Sequence, residues 1–363
     1  MTTPHPTPRL PLAVLHDHLD GGARPETLLE LAADIEHPMP AETPHALAAW
    51  FVAAANTDLD TFLATFEHIT PMLQTRDALR RIAYESVLDL AADSVVYAEQ
   101  RFAPEEHLTA GLSLDAVVEA VQDGFAAGMR DARTPDGHPV VVNTILCALR
   151  TEPHSRDIAS LAVRRRGDDP RLVGFDLAGA ERGAPAADHA QALRIAHEGG
   201  VSVTVHAGEE TGPDYVADAL THGARRIGHG VSLIEELTAD GTPGPVGAEA
   251  LRRGVCLELA PTSNVQTGAA RSLADHPLAR LLRAGLPVTV NPDNRLLSGI
   301  TVSSEFHAVA AAQGLTPQEQ HHICRTAVLA GFGDPEERHR ILHTVIDPAW
   351  TAHLASAPRT SGR

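Results

Sequence analysis

The 363-residue chain contains no lysine; all 29 of its basic residues are arginine. That absence excludes Schiff-base chemistry, pyridoxal phosphate anchored on lysine, a Walker A phosphate loop and a binuclear metal site bridged by a modified lysine. Cysteine is scarce as well. Cys147, Cys256 and Cys324 are odd in number and widely spaced, which fits a reduced, cytoplasmic setting better than a disulfide framework. Positive charge is short: the net charge is −18 and no basic block occurs. Such a chain repels phosphate backbones and anionic lipid, so neither nucleic acid nor a membrane is an expected partner. No apolar run approaches the roughly 20 residues of a membrane span. Residues Met1 to Arg9 are rich in Pro and Thr without an apolar stretch, and are expected to form a loose tail and not a signal peptide.

What is present is a repeating pattern. Eight apolar runs read as strands: Ala13 to His18, Val95 to Phe102, Val140 to Leu146, Leu172 to Asp176, Val201 to His206, Arg226 to His229, Val255 to Leu259 and Leu286 to Asn291. Several are apolar nearly throughout, as parallel strands buried on both faces are. Helical patterns separate most of them, such as the amphipathic run opened by Ser113 and Asp115, and Ala187 to Glu198. Strand–helix repetition of this kind predicts an α/β fold, a (β/α)8 TIM barrel forming one domain over residues 1–363. About 75 residues separate the first two strands, far more than the usual 2–6 of a βα loop. They read as helices over Glu26 to Ala33, His45 to Ala54, Leu59 to His68 and Ala78 to Ala91. Residues 21–93 are therefore expected to be a helical lid over the barrel mouth. Phe62 and Phe66, four apart on one helical face, line the pocket under it or pack the insert onto the barrel. A late helix opens at Thr316-Pro317-Gln318-Glu319 with a capping box, and His321 and His322 on it are expected to be solvated.

Barrel active sites form at the C-terminal ends of strands, and metal-binding residue types gather there. His16 and His18 end the first run; residues i and i+2 of a strand share a face, so both imidazoles project the same way. His206 ends the fifth run and Asp293 follows the eighth. Read singly, a His-x-His can be a surface turn, His206 a core histidine and Asp293 a turn residue. Together they supply three imidazoles and one carboxylate, a ligand set suited to zinc with room for a water. Glu209, three residues after His206 in a Gly-containing turn, can donate a proton if burial keeps it protonated. His229, flanked by Gly228 and Gly230, can hold the attacking oxygen or serve as a buried structural ring.

The ordered set His16-x-His18-x-Asp20-Gly21, Asp176-Leu177-Ala178-Gly179, His206-Ala207-Gly208-Glu209, Gly228-His229-Gly230, Pro261-Thr262-Ser263-Asn264 and the Asp293 turn resembles the adenosine/AMP deaminase family of the amidohydrolase superfamily. The match spans about residues 10 to 345. The Asp293-Asn294-Arg295-Leu296 run and Gln266-Thr267-Gly268 are most similar to the actinobacterial adenosine deaminases. The resemblance implies one zinc per chain on His16, His18, His206 and Asp293, with a zinc-activated water attacking C6 of a purine nucleoside. It implies Glu209 as the donor to N1 and His229 as the group that orients or deprotonates the water, with ammonia and inosine as products. His18 and Asp20 would contact the substrate, Asp20 at the ribose, and the Gly179 N–H would reach N3. Many members carry a second aspartate where this chain has Asn294; an amide is a permanent donor, so Asn294 is still expected to bind N7. Other 6-aminopurines, such as aminodeoxyfutalosine or free adenine, are the alternative substrates. AMP is less expected, since of the insert's arginines only Arg76, Arg80 and Arg81 offer themselves as a phosphate clamp. A metallo-phosphoesterase would need further ligands that cannot be assembled, and a non-catalytic nucleoside-binding module would not need this full set.

Overall fold

The computed structural model describes residues 9–356 apart from Thr57. Most of the expected N-terminal tail lies outside the described residues. Eight parallel strands follow one another around a single sheet: β1 (Leu12–His18), β2 (Val95–Phe102), β3 (Val141–Leu149), β4 (Leu172–Ala178), β5 (Ser202–Ala207), β6 (Arg226–His229), β7 (Cys256–Leu259) and β8 (Val288–Val290). These are the eight expected strands. β1, β2 and β4 are buried along nearly their whole length, which is why their sequences run apolar rather than alternate.

The sheet closes between β8 and β1, and it closes through candidate site residues. Asp17 bridges Asp293, the His18 N–H donates to the Asp293 carbonyl at 2.7 Å, and the Asp293 N–H donates to the His16 carbonyl at 3.2 Å. β8 is shorter than its apolar run because Asn291 completes the seam with its side chain. Its Oδ1 accepts from the N–H groups of Leu15 at 3.0 Å and His16 at 3.1 Å. The fold is thus a (β/α)8 barrel, sealed at the strand end where His16 and His18 emerge.

Helices α1 (Pro25–Asp34), α2 (Pro44–Ala55), α3 (Leu59–Ala64) and α4 (Arg76–Ala92) fill the segment between β1 and β2. Thr43, Asp58 and Thr75 each cap the following helix by accepting a backbone N–H. The run expected as one helix to His68 tightens to a 3-10 turn over Thr65–His68. Helices α5 (Leu114–Asp131), α6 (Ser155–Asp168), α7 (Ala190–Glu198), α8 (Pro213–Thr221) and α9 (Pro245–Arg253) follow β2 to β6 in turn. Ser113 caps α5, and Thr316 with Glu319 forms the expected capping box on Pro317–Ala330. His321 departs from expectation. Its ring is half-buried, stacks on Trp350 at 5.7 Å and hydrogen-bonds Asp347 at 3.0 Å, because the helix Asp347–Ser356 covers it. Among the described residues no helix is long and apolar enough to cross a membrane.

The barrel interior is charged at its centre. Arg101 and Glu99 of β2, Asp176 of β4, Arg226 of β6 and Glu258 of β7 are all buried. Arg226 binds Glu258 at 2.5 Å and Glu99 at 2.6 Å; Arg101 binds Asp176 at 2.7 Å and Glu258 at 2.7 Å. Removing one partner from such a network leaves an uncompensated buried charge, at a cost of about 3–5 kcal/mol.

Candidate active site

β1 delivers His16 and His18 to one side, and Asp17 between them turns away to Arg295 at 3.0 Å and Gln100 at 2.7 Å. β5 delivers His206, and the turn after β8 delivers Asp293 in a left-handed conformation, φ 60°. One ligand atom from each of His16, His18, His206 and Asp293 lies within 4.8 Å of the other three, so the group could hold a metal ion. Neighbouring atoms sit closer: His16 Nε2 to Asp293 Oδ1 is 3.2 Å, His18 Nε2 to Asp293 Oδ1 is 3.4 Å, and His18 Nε2 to His206 Nε2 is 3.4 Å. Those separations suit ligands each about 2.0–2.2 Å from one shared ion.

Two further observations test the fit. His16 Nε2 is buried, and among the described residues no hydrogen bond reaches it. The far nitrogens are committed: His16 Nδ1 faces Glu258 at 2.9 Å, and His206 Nδ1 faces Asp176 at 3.2 Å. A carboxylate on Nδ1 fixes the tautomer that leaves the Nε2 lone pair pointing inward. Burial, with Arg101 nearby, lowers the pKa of His16; burial, with His16 and His206 nearby, holds His18 well below the usual histidine range. Burial also disfavours the charged form of His206, but Asp176 outweighs it and makes the ring more basic. Burial opposes ionisation of Asp293 too, yet the surrounding imidazoles hold it well below the ordinary carboxylate range. Imidazoles at His16 and His18 that burial keeps neutral, a His206 ring made more electron-rich by Asp176, and an ionised carboxylate are donor types that suit a zinc site.

Glu209 lies beside this cluster on the turn after β5. Gly208 adopts φ 72°, and Glu181 secures the turn by accepting the N–H groups of Glu209 (3.3 Å), Glu210 (3.3 Å) and Thr211 (3.1 Å). Glu209 Oε1 accepts from Thr267 at 3.0 Å and Asn264 at 3.3 Å, and its Oε2 faces His229 Nε2 at 3.4 Å. Burial raises its pKa, with Asp293 and Glu181 adding to the shift and His229 opposing it. His229, at φ 62°, meets the Asn264 amide at 3.0 Å through Nδ1, and Asn264 Oδ1 meets His276 at 3.1 Å. With the Asn264 NH2 directed at both Glu209 and His229, this network assigns Nδ1 of His229 as acceptor and leaves Nε2–H toward the cavity.

The cavity above measures about 280 Å³, near the lower end of small-molecule sites, roughly 300–1,000 Å³. His18, Asp20, Gly179, His206, Glu209, His229, Asp293 and Asn294 all line it, as do Phe62 and Phe66 from the insert. Every expected site residue therefore reaches this one region; His16 lies just beneath it. Arg76, Arg80 and Arg81 do not line it; Arg76 pairs with Glu119 and Arg81 with Glu30 and Glu85. Sequence reasoning assigned no role to the partners that hold these groups: Asp176, Glu258 and Arg101 beneath, Ser263 donating to Asp293 at 2.6 Å, and Asn264 and Thr267 at Glu209. The usable signal was a charged side chain inside an otherwise apolar strand, which has to be paired within the barrel.

The family model described as adenosine deaminase matches residues 11–348. The adenosine deaminase of Mycobacterium tuberculosis (strain ATCC 25618 / H37Rv) is 43% identical over 349 residues, 94% of this chain and 95% of that one. Among solved structures, adenine deaminase from Arthrobacter aurescens is similar with a TM-score of 0.81 at 27% identity, covering 96% of this chain and 100% of that one. The N6-methyl-AMP deaminase of Arabidopsis thaliana is similar with a TM-score of 0.80 at 25% identity, covering 95% and 98%.

Proposed function

The chain belongs to the adenosine deaminase family, and from that premise we propose that it converts adenosine and deoxyadenosine, with water, to the inosine product and ammonia, using one zinc ion per chain. The observation that carries the reading is the meeting of four candidate ligands, Glu209 and His229 at the floor of one cavity. We read the chain as one catalytic unit, with residues 21–93 as its lid, and place it in the cytoplasm on its three free, buried cysteines.

His16, His18, His206 and Asp293 would hold the zinc. When bound, the ion supplies a Lewis acid that lowers the pKa of a water to about 7. The protein's own groups do the rest. Glu209, whose buried setting favours the protonated form, donates to N1 of the purine and makes C6 a better electrophile. His229, held by Asn264, points its Nε2–H at the attacking oxygen and orients it. Asn294 meets N7, the Gly179 N–H meets N3 and Asp20 meets the ribose. Phe62 and Phe66 cover the base and exclude water.

Adenosine is preferred to free adenine because the relative at 43% identity is named for adenosine, while the adenine deaminase is similar at 27%. An ultraviolet deamination assay over adenosine, deoxyadenosine, adenine, AMP and aminodeoxyfutalosine tests the substrate. Elemental analysis tests the metal, with one zinc per chain expected. No change in adenosine absorbance with the zinc-loaded protein would overturn the reading.

A further inference from the structure

Glu209, His229, Ser263 and Thr267 line the cavity from the β5–β7 side. With the reacting carbon beside them, the remainder of a nucleoside extends toward the opposite wall, at the exits of β1, β2 and β3. That wall carries Asp20 and Glu106, with Ala103, Leu149 and Thr151 around them. Among the described residues no arginine lines the cavity, and the chain has no lysine.

Two adjacent glutamates in the 3-10 turn Pro104–His107 behave differently. Glu105 reaches β3 and accepts the Leu149 N–H at 2.7 Å. Glu106 lines the cavity, half-buried, and among the described residues no hydrogen bond or ion pair reaches its carboxylate. Its backbone is clamped to the insert: Gln74 donates to the Glu106 carbonyl at 2.9 Å and accepts the Thr109 N–H at 3.0 Å. The backbone is thus anchored beside the cavity, while the carboxylate's hydrogen-bonding capacity is unspent. Burial and the nearby Glu152 disfavour its ionisation, which an approaching cation would restore and an approaching anion would oppose.

We propose that Glu106 is the residue that sets specificity at the 5′ end of the substrate, rejecting 5′-phosphorylated nucleosides and favouring a 5′ group that donates hydrogen bonds or carries positive charge. The inference rests on the reading of the chain as an adenosine deaminase. A phosphate brought here would face Asp20 and Glu106 in a half-buried site where no described residue supplies a compensating cation. A hydroxyl or ammonium would instead give Glu106 the donor it lacks.

The experiment measures kcat/KM at pH 8 for AMP, adenosine, 5′-deoxyadenosine and 5′-amino-5′-deoxyadenosine, on the zinc-loaded enzyme and on Glu106→Gln and Glu106→Arg. The wild type is expected to prefer the 5′-amino compound to 5′-deoxyadenosine by about tenfold, the scale of one charged contact at a partly buried site. Glu106→Gln should shrink that preference and the adenosine-over-AMP ratio together, and Glu106→Arg should shrink the latter further. Unchanged ratios in both variants, or a wild type indifferent to the 5′-amino group, would overturn the assignment. The wild-type series decides even if a variant fails to fold. Absence of adenosine turnover would sink the parent reading; turnover with unaltered ratios would sink this inference alone.

Discussion

On the β5–β8 side of the cavity nearly every polar group is held by another; on the β2–β3 side almost none is. Glu209 has Thr267 and Asn264, His229 has Asn264, Asp293 has Ser263, and His206 has Asp176. Across from them stand Ala103, Cys147, Leu149 and the insert's Leu59, Phe62 and Leu63, with Glu106 alone among them carrying an unmatched charge. The first side is built for reaction, where misplacing a donor by an ångström is costly. The second is built for fit, where area and shape suffice. The contrast predicts that substitutions on the first side lower kcat or stability, while those on the second shift KM and substrate preference.

The largest expected effect tests that prediction at its centre. Glu209→Gln keeps the shape and the contacts to Thr267 and Asn264 but cannot donate a carboxylic proton. It should retain one zinc per chain and lose about 10²–10⁴ in kcat. A variant keeping more than about a tenth of wild-type turnover would show that the order on this side serves something other than proton donation.

Next in size is Arg101→Met. Arg101 spans Asp176 and Glu258, the carboxylates behind His206 and His16, and also donates to the Leu15 carbonyl at 2.6 Å. Its loss should destabilise the metal-free protein by about 3–5 kcal/mol in chemical denaturation and weaken zinc by about 10–100-fold in chelator competition. Full stability with unaltered zinc affinity would mean that the ordered side does not depend on the charges beneath it.

A smaller effect compares the two sides within one titration. His276 supports Asn264, and burial lowers its pKa to about 3, with His229 adding to the shift; burial lowers that of His107, on the β2 side, to about 4. Each folded pKa lies below the ordinary 6.5, so the unfolded chain binds the extra proton. The stability each neutral ring contributes is present above pH 6.5 and is lost as pH falls through the window down to its folded pKa. Between pH 7.5 and 5.5 each should cost about 1.4 kcal/mol, read from the denaturant dependence of unfolding. His107→Gln should remove its own share, about 1.4 kcal/mol, of the loss between pH 7.5 and 5.5. An identical slope would show that the titration resides in other groups.

The legibility of the sequence follows the same division. The ligands could be read because a strand's period of two and the barrel's strand exits fix where His16, His18, His206 and Asp293 must go. Asp176, Glu258 and Arg101 are visible as charges within buried strands, but which of them meet depends on strands far apart in sequence. The shortness of β8 was hidden because the Asn291 side chain, not backbone, completes the seam. Glu105 and Glu106 are indistinguishable in sequence; only the 3-10 turn sends one to β3 and the other to the cavity. His321 was misjudged because its cover, Trp350, comes from a helix that its own amphipathic pattern does not announce.

Asn294 tests the border between the two sides with the smallest effect. It sits on the ordered side, wedged so close to Gly21 that a Cβ there would come within 1.8 Å of its Oδ1. That Oδ1 is buried against Gly21 and, among the described residues, has no hydrogen-bond partner, so the amide is positioned by packing, and its NH2 is the end that can donate to a ring nitrogen. Asn294→Ala should lower kcat/KM for adenosine by about 0.5–1.5 kcal/mol, the net worth of one hydrogen bond. With 7-deazaadenosine the N7 acceptor is gone, and the variant and wild type should then differ little, closing a double-mutant cycle between side chain and ring atom. A penalty that persists with the deaza substrate would assign Asn294 to shape alone and move it, despite its place after β8, to the side of the cavity that works by fit.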